Sequence, residues 1–430
     1  MTKILHVNTS DRHGGAARAA YRLHLGLQKA GLCSTMLVQE KQEESQTVYG
    51  PETKVGKLLA KFWPYIDWIP AKFYKGANVF NFTPAIVPGN AIRKIKRIGA
   101  DVVHLHWIAN GFIRIEALKG LRNKPVVWTL HDSWAFTGGC HVPFECTRYM
   151  ERCGECPVLC SRMDYDLSRW VWRRKAKVLK ALDITIVTPS RWMGECARRS
   201  SLFKGMRVEV IPNGVDIEIY KPLDQGFCRE ALSLPKDKKI ILFGAMYSTI
   251  NKNKGFDYLV SALRRIAKTT YKNDVIAVVL GAPAPEMGLD LGLDVRFLGH
   301  LHDDTSMAIA YSAANVFVAP SIQENLSNMV LEAMACGVPC VAFDIGGMPD
   351  MIEHKRTGYL AQPYKVEDLE KGILWAVDNN ECRSEISSSC RQKVVDDFSD
   401  ISAARRYSIL YDKIIRTKGG VRGKGFGESL

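Results

Sequence analysis

Two successive runs of strand–helix alternation constrain this chain more than any other feature. In the first half KILHVN, STMLVQ, DVVHLHW, PVVWTLHD, ITIVTPS and RVEVIPN are short, apolar and rich in β-branched residues. Helix-length stretches such as AARAAYRLHLGLQKAG, ending at Gly31, lie between them. Continuous apolar runs of this kind read as strands buried on both faces of a parallel sheet. The pattern then restarts with KKIILFGA, DVIAVVLG, VRFLGH, NVFVAPS and VPCVAFD. Two such series predict an α/β protein with two doubly wound, Rossmann-like domains facing each other across a cleft. The expected domains are 1–216 and 217–398, joined where Pro222 and Pro235 flank a polar stretch. Residues 399–416 are expected to form a helix returning to the first domain, and the basic, Gly-rich residues 417–430 to be disordered.

A chain of 430 residues, 47% of them hydrophobic, is too long for one ordinary core. It has no apolar run near the roughly 18 residues of a membrane span. The start, MTKILHVNTS, reads as a strand and lacks the apolar core of a signal peptide, so a cytoplasmic location is expected. A formal charge of +14 favours acidic partners, whether nucleic acid, anionic lipid or phosphate-bearing substrates.

In SIQENLSNMVLEAMACGVPCVAFDIGG, Glu324 falls in the loop after a predicted strand and Glu332 falls inside the following helix. Ser327 or Asn328 is available as N-cap and Gly337 as C-cap of that helix. Ligands of open α/β sheets bind at this edge, where helix starts offer free N–H groups, and two carboxylates there can take bonds from two sets of hydroxyls. Spacing alone equally fits two solvated helix acids. The loop NTSDRHGGAARAA places Gly14 and Gly15 at a helix start, where backbone can approach a phosphate. It is not GxGxxG, which speaks against an NAD-binding domain, and a plain tight turn also fits.

Taken together, these residues resemble the retaining glycosyltransferases of family 4, which have the GT-B fold. Glu324 and Glu332 match that family's E-x7-E motif, and VIPNGVD, TLHD, the Gly14–Gly15 loop and KGFDYL follow in its order. The resemblance implies that Glu324 contacts hydroxyls of the donor sugar, helped by backbone N–H groups of Asn325, Leu326 and Ser327, and that Glu332 binds ribose. It implies that Lys254 binds the donor's phosphates and that His131 hydrogen-bonds the sugar and assists the leaving group. The family's phosphate-binding arginine is missing at Ala245, and Lys252 is the expected replacement. Asp132 is placed to orient His131 or meet the acceptor, and His104 and His106 read as supporting or structural residues. No catalytic metal is required, so DYD at 164–166 reads as a chance triplet. The implied partners are a nucleotide-diphosphate sugar donor and a glycan or polyprenyl-diphosphate-linked acceptor.

Five of twelve cysteines, Cys140, Cys146, Cys153, Cys156 and Cys160, fall within 21 residues. In a cytosolic chain such clustering suggests metal rather than disulfides, and Cys140, Cys146, Cys153 and Cys156 are expected to hold a structural Zn2+ within an insert at about 138–162. A similar Cys-rich insert occurs in family 4 enzymes resembling those of colanic-acid-type exopolysaccharide assembly. Reduced thiols packed as small hydrophobes would also fit.

Residues 54–82 interleave Lys54, Lys57, Lys61, Lys72 and Lys75 with Trp63, Trp68 and other rings. Between 54 and 99 there are nine Lys or Arg and one acid, Asp67. Cations mixed with Trp, Tyr and Phe suit a segment that docks on an anionic membrane surface, although an amphipathic hairpin packed on its own domain would look similar. Two other classes compete with the transferase: a sugar-nucleotide epimerase or phosphorylase of the same fold, and a zinc-containing nucleic-acid-binding protein. The last leaves the glutamate pair idle, and no basic recognition helix follows the cysteines, so no nucleic-acid partner is expected.

Overall fold

The structure is a computed structural model that describes residues 2–244, 252–281, 290–301, 303–378 and 382–422, with side chains of 252 and 418–422 excepted. The chain divides into two compact units, Met1–Pro212 with Ala403–Leu430, and Asn213–Ser402.

The first unit is built on seven strands: β1 (Lys3–Ser10), β2 (Cys33–Glu40), β3 (Val48–Tyr49), β4 (Val102–Leu105), β5 (Val126–Thr129), β6 (Ile184–Thr188) and β7 (Val208–Val210). They lie in the order β3-β2-β1-β4-β5-β6-β7, and every pair is parallel. Successive strands move outward from β1 to β3, then resume on the other side at β4, so the direction of winding reverses between β1 and β4. β3 has only two residues, too few for periodicity to reveal it.

One face of this sheet is closed by the last helix, Asp400–Arg422, whose Ala404, Tyr407, Leu410, Tyr411 and Ile414 pack on Ile4, Val102, Val127 and Val187. Both tyrosines keep their hydroxyls satisfied in the core. Tyr411 bonds His104 Nδ1 at 2.7 Å and Tyr407 bonds Thr129 Oγ1 at 2.8 Å, as buried polar groups require. The helix reaches Arg422, into the stretch that composition assigned to disorder, because no proline or cap stops it at residue 416.

The second unit holds β8 (Lys239–Gly244), β9 (Val275–Leu280), β10 (Asp294–Phe297), β11 (Val316–Ala319), β12 (Cys340–Phe343) and β13 (Gly358–Ala361). All pairs are again parallel, in the order β10-β9-β8-β11-β12-β13, with the reversal between β8 and β11. Val, Ile, Leu and Phe of the central strands are almost wholly buried, as a sheet covered on both faces demands. In open α/β sheets ligands bind beyond the carboxyl ends of the strands at such reversals. The loops after β1 and β4, and after β8 and β11, are therefore the ligand-binding edges that this topology provides.

Candidate functional site

In the second unit, the loops on either side of the reversal are locked together. Lys254 follows β8 and Glu324 follows β11, and Lys254 Nζ lies 2.8 Å from Glu324 Oε2. Asn253 ties the same loops, donating from Nδ2 to Gln323 O at 2.9 Å and accepting from Gln323 N at 3.1 Å. Two glycines make the approach possible. Gly255, at φ +66°, sits where a Cβ would come within 1.8 Å of Pro320 O, and Gly346, at φ +55°, sits where one would come within 2.0 Å of Glu324 O. Only glycine combines that backbone region with such contact.

Glu324 and Lys254 remain partly exposed, at 16% and 28% of their side chains. Ser327 is the N-cap of helix Asn328–Ala335, its Oγ accepting from Val330 N at 3.4 Å, and Asn325 and Leu326 are buried just before it. Gly337, at φ +75°, follows the helix after Cys336. Glu332 is 0% exposed, and its Oε2 accepts from Tyr311 OH at 2.9 Å. The structure thus separates the two acids into an accessible one bridged to a lysine and a sealed one bonded to a buried phenol. Burying a carboxylate is expensive, and such groups persist where they serve a site or a network. The side chain of Lys252 and residue Ala245 lie outside the described residues.

In the first unit, Gly14, at φ +92°, caps helix Gly15–Lys29 in the loop after β1. Beyond β4 and β5 a line of histidines runs inward. His131 Nε2 is 3.0 Å from His106 Nδ1, and His106 Nε2 is 2.9 Å from His6 Nδ1. Burial lowers His131 to about 4 against the opposing pull of Asp132, and it drives His6 and His106 well below their ordinary value. All three rings are therefore neutral near pH 7, each with one N–H. His6 Nε2 is buried and has no hydrogen-bond partner among the described residues. A bare lone pair is easier to leave there than an orphaned N–H. That assigns the proton to Nδ1 of His6, hence to Nδ1 of His106, hence to Nδ1 of His131. The line thus fixes the tautomer of its outermost ring.

His6, His104 and His106 are the only three potential ligands that bring their atoms within 4.8 Å of one another among the described residues. His104 spends Nε2 on Thr129 and Nδ1 on Tyr411, both at 2.7 Å, so the trio reads as a hydrogen-bonded cluster. Asp132 takes bonds from His141 Nδ1, Trp107 Nε1 and Trp134 N at 2.8, 2.8 and 2.9 Å. Burial pushes its carboxyl up, but His141 and these donors hold it below its usual range. Sequence reading missed His6, His141 and Tyr311. Nothing in the sequence marked the first, since only the sheet register sets His6 opposite His104.

The DYD acids have structural partners. Asp164 pairs with Arg169, and Asp166 caps helix Leu167–Leu179 through Arg169 N and also takes Cys156 N at 2.8 Å. Cys140, Cys146, Cys153 and Cys156 line one cavity. Cys160 does not line it; it is exposed, and its sulfur donates to Gly76 O.

Residues 54–72 form a single helix, Lys54–Lys72, rather than a hairpin. Its one acid is its anchor. Asp67 is fully buried and accepts from Ile86 N at 2.7 Å, Ala85 N at 3.2 Å and Gly111 N at 3.3 Å. The opposite face carries Val55, Leu58, Leu59, Phe62, Tyr65, Ile66 and Ile69, all 40% exposed or more, with Phe73 just beyond at 85%. At about 100° per residue these positions fall within an arc of roughly 120°, and Lys54, Lys57, Lys61 and Lys72 line one flank of it. Trp63 and Trp68 are only partly exposed, and Trp68 packs edge-on against Tyr65 and Phe80. The outward rings are thus Phe62, Tyr65 and Phe73, because the tryptophans stand on the flanks that turn towards the anchored side. No helix among the described residues is long and apolar enough to cross a membrane.

Comparison with known proteins gives two family matches, one over each sheet. Residues 13–219 match the model of Glycosyltransferase Family 4, and residues 237–379 match that of Glycosyl transferases group 1. The alpha-maltose-1-phosphate synthase of Mycolicibacterium smegmatis is 27% identical over 271 residues, 58% of this chain and 67% of that one. Sucrose-phosphate synthase from Thermosynechococcus elongatus superposes with a TM-score of 0.66 at 19% identity, covering 97% of this chain and 100% of that one. HepE of Anabaena, solved in complex with UDP and glucose, superposes with a TM-score of 0.64 at 17% identity, covering 96% and 100%. With two parallel Rossmann-like sheets of the GT-B fold and a family match over each, the chain is a glycosyltransferase of the family 4 type.

Proposed function

We propose that this enzyme moves a hexosyl group from a nucleotide-diphosphate sugar to a lipid-linked glycan, such as one on a polyprenyl diphosphate, with retention at the anomeric carbon, in surface polysaccharide synthesis. The observation that carries the donor half is the Lys254–Glu324 pair at the reversal of the second sheet. It sets one cation and one hydroxyl acceptor side by side, which a sugar diphosphate requires. Glu324 accepts from the sugar hydroxyls, the N–H groups of Asn325, Leu326 and Ser327 assist, and Lys254 turns to the diphosphate. Glu332 accepts from ribose once the nucleotide reaches it, and Gly14 and Gly15 leave room for phosphate. His131 donates its Nδ1–H to the sugar. The bond between the anomeric carbon and the phosphate oxygen breaks, an acceptor hydroxyl takes its place, and that hydroxyl's proton leaves with the departing phosphate or to solvent. Fixed donors where negative charge develops stabilise the transition state. The complex of HepE with UDP and glucose supports a nucleoside diphosphate as the leaving group.

The acceptor half rests on the Lys54–Lys72 helix. A solvent-facing apolar arc flanked by lysines matches a negatively charged lipid surface, where each cation contributes about 1 kcal/mol and the rings add apolar burial. Location at the inner face of a cell membrane follows from that docking.

Thermal-shift screening separates the transferase from a nucleic-acid-binding reading. A saturating nucleoside diphosphate at about 100 times its Kd stabilises by about 2.7 kcal/mol. Stabilisation by UDP or GDP supports the proposal. A shift with a salt-sensitive oligonucleotide and with no nucleotide refutes it. Retention is checked by the anomeric NMR signal of the first-formed product.

A further inference from the structure

We propose that Cys140, Cys146, Cys153 and Cys156 bind one Zn2+ as thiolates and that the buried Lys175 is the counter-charge of this site. The four residues line a single cavity together with Thr137, Gly138 and Ser168. Cys160, the fifth cysteine of the cluster, lies outside it, which fixes the ligand set at four.

Two observations go beyond clustering. A backbone amide is already aimed at one of the sulfurs. Gly138 N donates to Cys153 Sγ at 3.0 Å, and Leu159 N donates to the Cys156 carbonyl at 3.1 Å, which holds the backbone of a second ligand. N–H donors to sulfur favour the thiolate, and outer-shell bonds of this kind orient metal ligands. Asp166 adds to the same turn by holding Cys156 N at 2.8 Å.

The second observation is Lys175. Only 2% of this lysine is exposed. Its ammonium donates to the carbonyls of Trp134 and Thr137 and lies 3.7 Å from the centre of the Trp134 ring, and no carboxylate pairs with it at salt-bridge distance among the described residues. Thr137, whose carbonyl it binds, lines the cysteine cavity, so the ammonium stands in the wall of that site. Four neutral thiols give a buried ammonium little reason to sit there. Zinc with four thiolates carries a net charge of −2 and gives it one. Arg169 also reaches this shell, on the carbonyl of Cys153, but its charge is already paired with Asp164.

No three of the sulfurs lie within 4.8 Å of one another, so the ion gathers them to Zn–S distances of about 2.3 Å. Cys146 is the ligand with room to move: it is half-buried while the other three are buried. Binding replaces four S–H protons by one Zn2+, releases the protons to solvent and changes no oxidation state. The proposal stands apart from the transferase reading, since no residue of the Lys254–Glu324 pair takes part.

The test is elemental analysis of the full, untagged chain from zinc-supplied cells. One zinc per chain, released by a mercurial, is expected, and Cys153→Ser with Cys156→Ser should abolish it. Zinc far below one per chain overturns the proposal. Should the double variant not fold, Lys175→Met decides. Loss of the counter-charge should weaken zinc retention by about 10- to 100-fold and lower the Tm. Unchanged metal content together with a raised Tm, the result of deleting a buried cation beside neutral thiols, overturns it.

Discussion

His106 stands between His6 and His131, 2.9 Å from one and 3.0 Å from the other, and so decides which nitrogen of His131 carries the proton. His106→Leu removes that constraint without placing a new charge in the core. We expect kcat to fall by an order of magnitude or more with KM little changed, since correct proton placement contributes about 10²- to 10⁴-fold in comparable sites. Imidazole 15N shifts of His131 should report protonated Nδ1 in the wild type and a mixture in the variant. A wild-type spectrum showing protonated Nε2 would reverse the assigned direction.

Gly346→Ala sets a Cβ against Glu324 O and also strains a φ of +55°. The loop carrying Glu324 must shift, so the variant should lose transfer activity and at least about 1 kcal/mol of stability. Activity equal to wild type in a folded protein would show that the Glu324 loop tolerates displacement.

Burial lowers His24, bonded to Ser34 and Thr47, to about 4, as it does His131. An unfolded histidine titrates near 6.5, so between pH 6.5 and 4 the unfolded chain binds protons that the folded chain refuses. Stability is complete above about 6.5 and falls as pH drops, by about 1.4 kcal/mol per pH unit for each such group. His24→Gln keeps a donor and an acceptor in place and should flatten the acid limb of a Tm-against-pH curve. An unchanged slope would mean that the folded His24 takes up its proton as readily as the unfolded one.

Phe62→Ser with Phe73→Ser, or Lys57→Glu with Lys61→Glu, should reduce co-sedimentation with anionic liposomes while nucleotide affinity is retained. These side chains are exposed, so the fold should be unaffected. Wild-type protein that ignores anionic liposomes at low salt would remove the membrane from the proposal.

The alternation of strands and helices was legible because parallel strands are uniformly apolar; β3 was not, because two residues carry no pattern, nor was β13, which opens on Gly358 straight after the polar HKRT. Glu324 and Lys254 could be singled out from their motifs, but Gly255 and Gly346, which bring them together, act through contacts between loops distant in sequence. The histidine line was hidden for the same reason: His6 and His131 belong to β1 and to the loop after β5, and only the sheet order brings them to one ring between them. Asp67 read as the lone acid of a basic segment, whereas its function as the helix anchor depends on three amides from elsewhere in the chain. The composition of residues 54–82 pointed to an interfacial helix. Which rings face outward depended on where Asp67 is tied.

The most direct test is release of nucleoside diphosphate from a panel of nucleotide sugars, measured for the wild type and for Glu324→Gln. The wild type should turn over at least one donor, and the variant, folded and with unchanged Tm within about 1 kcal/mol of stability, should lose 100-fold or more, as expected on removing one charged contact from the transition state. Turnover of no nucleotide sugar by the wild type, or equal turnover by Glu324→Gln, would contradict the proposed donor site.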